Sequence, residues 1–243
     1  MSHPDKVLTV LCVPGKWKDN SELLTSIVKL SGGYIFAGKI LMHIESKTSF
    51  ELEVCNPDSR MPRAFEAAGP HWRDTEEMAR IAGHTMVLYL VGPGGSPERA
   101  DAFMKAGAAL LYSGGLGVKV ESTGIAFAPS DWIRMAEDKI FREGTRHRAF
   151  VVYGTGEDTY SCGMHNLGMW DAIVESRHSD DPVELLRVFT RYIATEGPVF
   201  KAGHTFSVGE DAPRYRLSEE ENQPCGDHEM FRNPFGMWRL KPV

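Results

Sequence analysis

The chain has 243 residues, with 33 acidic and 27 basic side chains and a formal net charge of −6. Apolar residues at 42% and charged residues at 25% are an ordinary globular mixture, which excludes a wholly disordered chain. A pI near 5.9 argues against a general binder of the phosphate backbone, and no apolar run approaches the roughly 20 residues needed to cross a bilayer. The first residues lack the basic-then-apolar layout of a signal peptide. The cysteines Cys12, Cys55, Cys162 and Cys225 show no CxxC spacing, so neither a disulfide framework nor a zinc site is indicated. These features predict a soluble cytoplasmic protein with no nucleic-acid partner, no membrane and no cofactor.

In chain order, residues 6–13 are a short apolar run closed by Pro14 and Gly15, the pattern of a buried strand. Residues 20–30 have helical spacing, with Asn20 or Ser21 as cap and Gly32–Gly33 as the stop. Two strands are predicted over 34–44 and 49–54; in the second, Phe50, Leu52 and Val54 alternate with Glu51 and Glu53. A stretch with Pro57, Pro62 and Pro70 leads to Asp74, a candidate cap for a helix to Ala82, and an apolar strand follows over 84–91. This β-α-β-β-α-β succession suggests a ferredoxin-like split βαβ first half. A helix over 96–112, a strand over 118–121 and a helix from Pro129 to about Phe141 complete it.

The polar stretch 144–147 marks a seam, which gives an α+β chain with halves at 1–143 and 148–243. The second half reads as a smaller antiparallel sheet with one helix. Strands are predicted over 149–153, 160–164 and 172–175, and short ones near 205–206, 215–217 and 237–240. Between them, Asp180-Asp181-Pro182 opens a helix whose apolar stripe runs from Val183 to Ile193.

Few motifs carry chemistry. Gly92-Pro93-Gly94-Gly95-Ser96 joins a strand to a helix, yet matches neither the P-loop nor the dinucleotide fingerprint, and a tight turn with a Ser cap is the simpler reading. The cluster at 113–117 follows a helix and favours a C-cap. Cys162 and His165 are three apart, and with His204 they could form a nucleophilic or ligand-binding site. On a strand, however, positions three apart face opposite ways. Residues 218–230 hold five carboxylates, Glu219, Glu220, Glu221, Asp227 and Glu229, with no Lys or Arg. They read as a solvated mobile loop or as a contact for a basic partner. The tryptophans are spread along the chain and are assigned to packing.

Several segments together resemble a known family. They are SCGMHNLGMWD at 161–171, the helix ending YIATE at 192–196, GHTF at 203–206 and NPFGMWRL at 233–240. In the first half, AGHTMVLYLV at 82–91, AALL at 108–111 and FAPS at 127–130 fit as well. This pattern is similar to the bacterial family known as domain of unknown function 4261, over nearly the whole chain. The resemblance implies a bacterial protein from the neighbourhood of polymorphic-toxin and type VI secretion loci, and it brings no catalytic residue set. It points to a non-enzymatic immunity protein that neutralises a secreted toxin by occluding its active site. The acidic residues Glu219, Glu220, Glu221, Asp227 and Glu229 are then the partner-binding set, and a cognate, basic toxin domain is the partner. The alternative is an enzyme or small-ligand module with a site near Cys162, His165 and His204.

Overall fold

The computed structural model describes residues 7–225 and 228–243. The protein is a mixed α and β molecule with two sheets, in two compact units. One unit comprises Leu8–Pro93 and Glu98–Ile140; the other comprises Gly94–Pro97 and Phe141–Val243, with Val7. The predicted seam at 144–147 falls inside a helix of the second unit.

In the first unit, the strand β1 (Leu8–Gly15) leads to the helix α1 (Asn20–Leu30). Asp19, rather than Asn20 or Ser21, caps α1, its carboxylate accepting from Glu22 N at 2.9 Å. The single strand predicted over 34–44 is a hairpin, β2 (Tyr34–Ala37) and β3 (Ile40–His43), because Gly38 takes φ 63° and reverses the chain. After β4 (Ser49–Cys55), the proline-containing stretch holds a helix, α2 (Met61–Ala68), with Pro62 in its first turn and with Met61 and Phe65 buried one turn apart. Thr75 caps α3 (Glu76–Ile81), while Asp74 adopts φ 64° in the turn before it. Then come β5 (Met86–Pro93), α4 (Pro97–Tyr112), the hairpin β6 (Val118–Val120) and β7 (Ile125–Phe127), and α5 (Pro129–Glu137).

The seven strands form a sheet in the order β2-β3-β4-β5-β1-β6-β7, each antiparallel to its neighbours. A split βαβ unit inserts its first strand between the third and the fourth. Here β5 pairs directly with both β4 and β1, and the first half carries an extra strand and an extra helix beside the expected succession. Alternation along β1 sends Cys12 to the face covered by α2 and α3, where Phe65, Trp72, Ile81 and Val87 form a core. Leu11 points to the other face, towards α4. Gly107 permits that approach: a Cβ there would lie 2.7 Å from Trp132 Nε1 and 3.2 Å from Leu11 Cδ1.

In the second unit, the strand predicted over 149–153 is replaced by α6 (Arg142–Phe150) and then β8 (Val152–Gly154). Ala149 and Phe150 are fully buried as the last turn of α6, so their apolar run belongs to a helix end. β9 (Asp158–Cys162), β10 (Asp171–Glu175), α7 (Pro182–Glu196), β11 (Thr205–Ser207), β12 (Arg214–Glu219) and β13 (Met237–Pro242) follow. The sheet order is β11-β12-β13-β10-β9-β8, antiparallel except where β10 and β13 run parallel. The intervening α7 and β11–β12 hairpin supply the crossover that a parallel pair requires. α7 buries Leu185, Leu186, Phe189 and Ile193. It is tied to α6 by a buried trio in which His147 Nε2 lies 2.9 Å from Thr190 Oγ1 and 3.1 Å from Tyr153 OH.

Candidate functional site

The acidic segment lies between β12 and β13, and its backbone is anchored to the second unit. Glu219 ends β12 opposite Trp238 and is exposed, as are Glu221 and Glu229. Asp227 lies outside the described residues. Glu220, expected in the partner-binding set, is paired within the chain. Its carboxylate accepts from Arg239 Nε, and Arg239 also donates to both oxygens of Asp158 at 3.2 Å. Burial acts against the Glu220 carboxylate, but the Arg239 and Asn222 hydrogen bonds prevail and lower its pKa. Glu220 therefore belongs to the scaffold, and the exposed carboxylates beside it form the surface.

What holds the segment down is a pair of amides. Gln223 Nε2 donates to Asn233 O at 2.9 Å, and Asn233 N donates back to Gln223 Oε1 at 2.7 Å. The Asn233 side chain, itself buried, donates to Met169 O at 2.8 Å and to Asp171 Oδ2 at 2.7 Å. Its Oδ1 accepts from Phe235 N at 2.9 Å. Gln223 and Asn233 are thus tied to one another by side-chain bonds to the backbone.

Asp171 is the hub beneath it. The side chain is 0% exposed, and its Oδ1 accepts from Ser161 Oγ at 2.7 Å and Met164 N at 3.3 Å. Ser161 Oγ in turn accepts from Ala172 N at 2.9 Å. Burial pushes the carboxyl up to about 6, against the pull of the donors from Asn233, Ser161, Met164 and Gly163. The group is thus satisfied but poised close to neutrality, as a fully buried carboxylate held by neutral donors should be.

The structure places Cys162, His165 and His204 apart in role. Gly163 adopts φ 119° after β9, and the chain winds into a 3-10 turn over Met164–Leu167 that buries His165. Gly168 closes that turn at φ 76°, where a Cβ would sit 2.4 Å from Gly95 O. His165 Nε2 lies 3.4 Å from Asn166 Nδ2, Nδ1 is buried without a partner, and burial lowers its pKa to about 4. The Cys162 thiol donates to Phe231 O at 3.7 Å, and the neighbouring Cys225 thiol, ahead of burial, holds it protonated. A nucleophilic dyad needs an ionisable thiol within reach of a basic imidazole. Here the thiol and the imidazole have other partners, and each is held in its neutral form. His204 is exposed, with its ring packed on Phe200 at 6.4 Å.

The glycine turn before α4 uses its amides internally: Gly94 N donates to Val7 O at 2.8 Å and Gly95 N to Asn166 O at 3.1 Å. Gly114 N and Gly115 N return to Leu111 O and Leu110 O, which makes the second glycine cluster a helix cap. Among the described residues, no group of three or more His, Cys, Asp or Glu side chains is arranged to hold a metal ion. No helix among them is long and apolar enough to cross a membrane. The first unit has a cleft of about 710 Å³ between α4 and the β2–β3 hairpin, lined by Tyr34, His43, Lys105, Tyr112 and Glu137 among others. Searched against family models, curated proteins and solved structures, the chain finds no match.

Proposed function

We propose that the protein is a binding protein whose anchored acidic segment docks on a basic partner, and that this partner is a secreted bacterial toxin domain which it neutralises by occlusion. The observation that carries the reading is the set of exposed carboxylates flanking the hydrogen-bonded pair Gln223 and Asn233. Glu219, Glu221 and Glu229 are exposed on a segment tied to Asp171 through Asn233 and Gln223. Charges on a pre-ordered backbone lose less conformational freedom on binding than charges on a mobile loop, so more of their attraction appears as affinity. Clustered charge of one sign also steers encounter with a surface of the other sign and raises the association rate. The resemblance to domain of unknown function 4261 supplies the toxin context.

The reading is tested by recovering the tagged protein from its native bacterium at low and at moderate salt. A stoichiometric basic toxin domain, encoded beside the gene and lost as salt rises, is the expected result. Recovery of the protein alone at both salt concentrations would contradict it.

A further inference from the structure

Cys162 ends β9, and Cys225 lies within the segment between β12 and β13. Each thiol donates to a carbonyl on the other's side. Cys225 Sγ is 3.4 Å from Ser161 O, and Cys162 Sγ is 3.7 Å from Phe231 O. Ser161 immediately precedes Cys162, so Cys225 Sγ is held beside the end of β9, and no disulfide joins the two cysteines. Their exposures differ, with Cys162 buried and Cys225 partly open to solvent. We propose that Cys162 and Cys225 form a dithiol clasp, which a small disulfide of the glutathione class oxidises to an intrachain bond fastening the C-terminal segment to β9. The inference concerns the chain alone and does not depend on the identity of any partner.

The exchange proceeds in two balanced steps. Cys225, the accessible thiol, gives up its proton and attacks one sulfur of glutathione disulfide. A Cys225–glutathione mixed disulfide forms, and the first glutathione leaves as a thiolate that takes up the proton. Cys162 then loses its proton and attacks Cys225 Sγ, and the second glutathione departs with that proton. Two protein thiols are oxidised while one small disulfide is reduced to two thiols. Cys12 provides the contrast in the first unit, since it is fully buried and donates to Met61 Sδ at 3.7 Å.

The test treats the reduced full-length protein with glutathione disulfide, blocks remaining thiols by alkylation and maps the peptides by mass spectrometry. The expected product is a Cys162–Cys225 cross-link without glutathione, and a Tm higher by roughly 5–10 °C that a reductant reverses. In the Cys162→Ser variant, glutathione should instead accumulate on Cys225. The proposal is overturned if native Cys225 retains glutathione while Cys162 is alkylated, or if Cys225 stays unmodified. Either result is read on the native chain, so it stands even if the variant folds poorly.

Discussion

Replacing Asp171 by alanine should destabilise the protein by about 3 kcal/mol or more, the range in which buried polar networks fail when their central acceptor is removed. Ser161 Oγ, Met164 N and Asn233 Nδ2 lose their acceptor together. Asn233 cannot turn away to compensate, because Met169 O and Phe235 N already fix both ends of its amide. Asp171→Asn should also destabilise. It relieves the burial of charge, but its NH2 must face either the Asn233 amide or the donors from Ser161 and Met164. Urea unfolding monitored by tryptophan fluorescence measures both variants. A loss below about 1 kcal/mol for Asp171→Ala would show that the hub carries little of the fold.

The second large effect is acid lability between about pH 6.5 and pH 4. Burial lowers the pKa of both His147 and His165 to about 4, with Arg191 and Arg187 adding to the effect at His147. The unfolded chain therefore binds protons in this interval that the native histidines refuse, and stability falls as the pH drops. A depression from 6.5 to about 4 is worth roughly 3 kcal/mol for each histidine, fully expressed once the pH is below the native value. Asp171 acts in the opposite sense. Its native pKa of about 6 exceeds the ordinary 3.8, so protonation below pH 6 relieves the native state and returns roughly 3 kcal/mol. Two losses against one gain leave a net loss of roughly 3 kcal/mol on going from pH 7 to pH 4. Thermal unfolding across this range measures it. In His147→Gln the slope with pH should become markedly shallower, and an unchanged slope would remove His147 from the explanation.

Local periodicity made much of the fold legible. The alternation of Phe50, Leu52 and Val54 with Glu51 and Glu53 locates β4, and the stripe from Val183 to Ile193 locates α7. Elements whose character depends on distant neighbours were less visible. Ala149 to Tyr153 is apolar enough for a strand, yet its first two residues close α6, whose earlier turns are polar. The strand order was also hidden, since β5 meets β1 across 70 residues and more of chain, as in the pair Gly15 and Met86, and no local signal encodes that choice.

The same reason divides the candidate site. The carboxylates of the acidic segment could be read off the chain, but their roles could not. Glu220 belongs to the scaffold because of Arg239, 19 positions away, and the segment is held because Asn233 meets Asp171 across 62 positions. One sequence signal could have hinted at the hub. Asp171 opens the otherwise apolar strand Asp-Ala-Ile-Val, where a charge is costly unless donors await it. Cys162 and His165 invited a dyad because they are close in sequence, and the left-handed Gly163 is what gives them different partners.

The most direct measurement is the association rate of the protein with the proposed basic partner, once recovered, by stopped flow, for the native chain and for the combined variant Glu219→Gln, Glu221→Gln, Glu229→Gln. If the anchored acidic segment is the docking surface, the variant should associate about 10-fold more slowly at low salt, and the difference should shrink as the Debye length falls. Glu220→Gln should behave differently, lowering Tm through the lost Arg239 pair. Equal rates for native and triple variant at low salt would contradict the account and move the interface to another face.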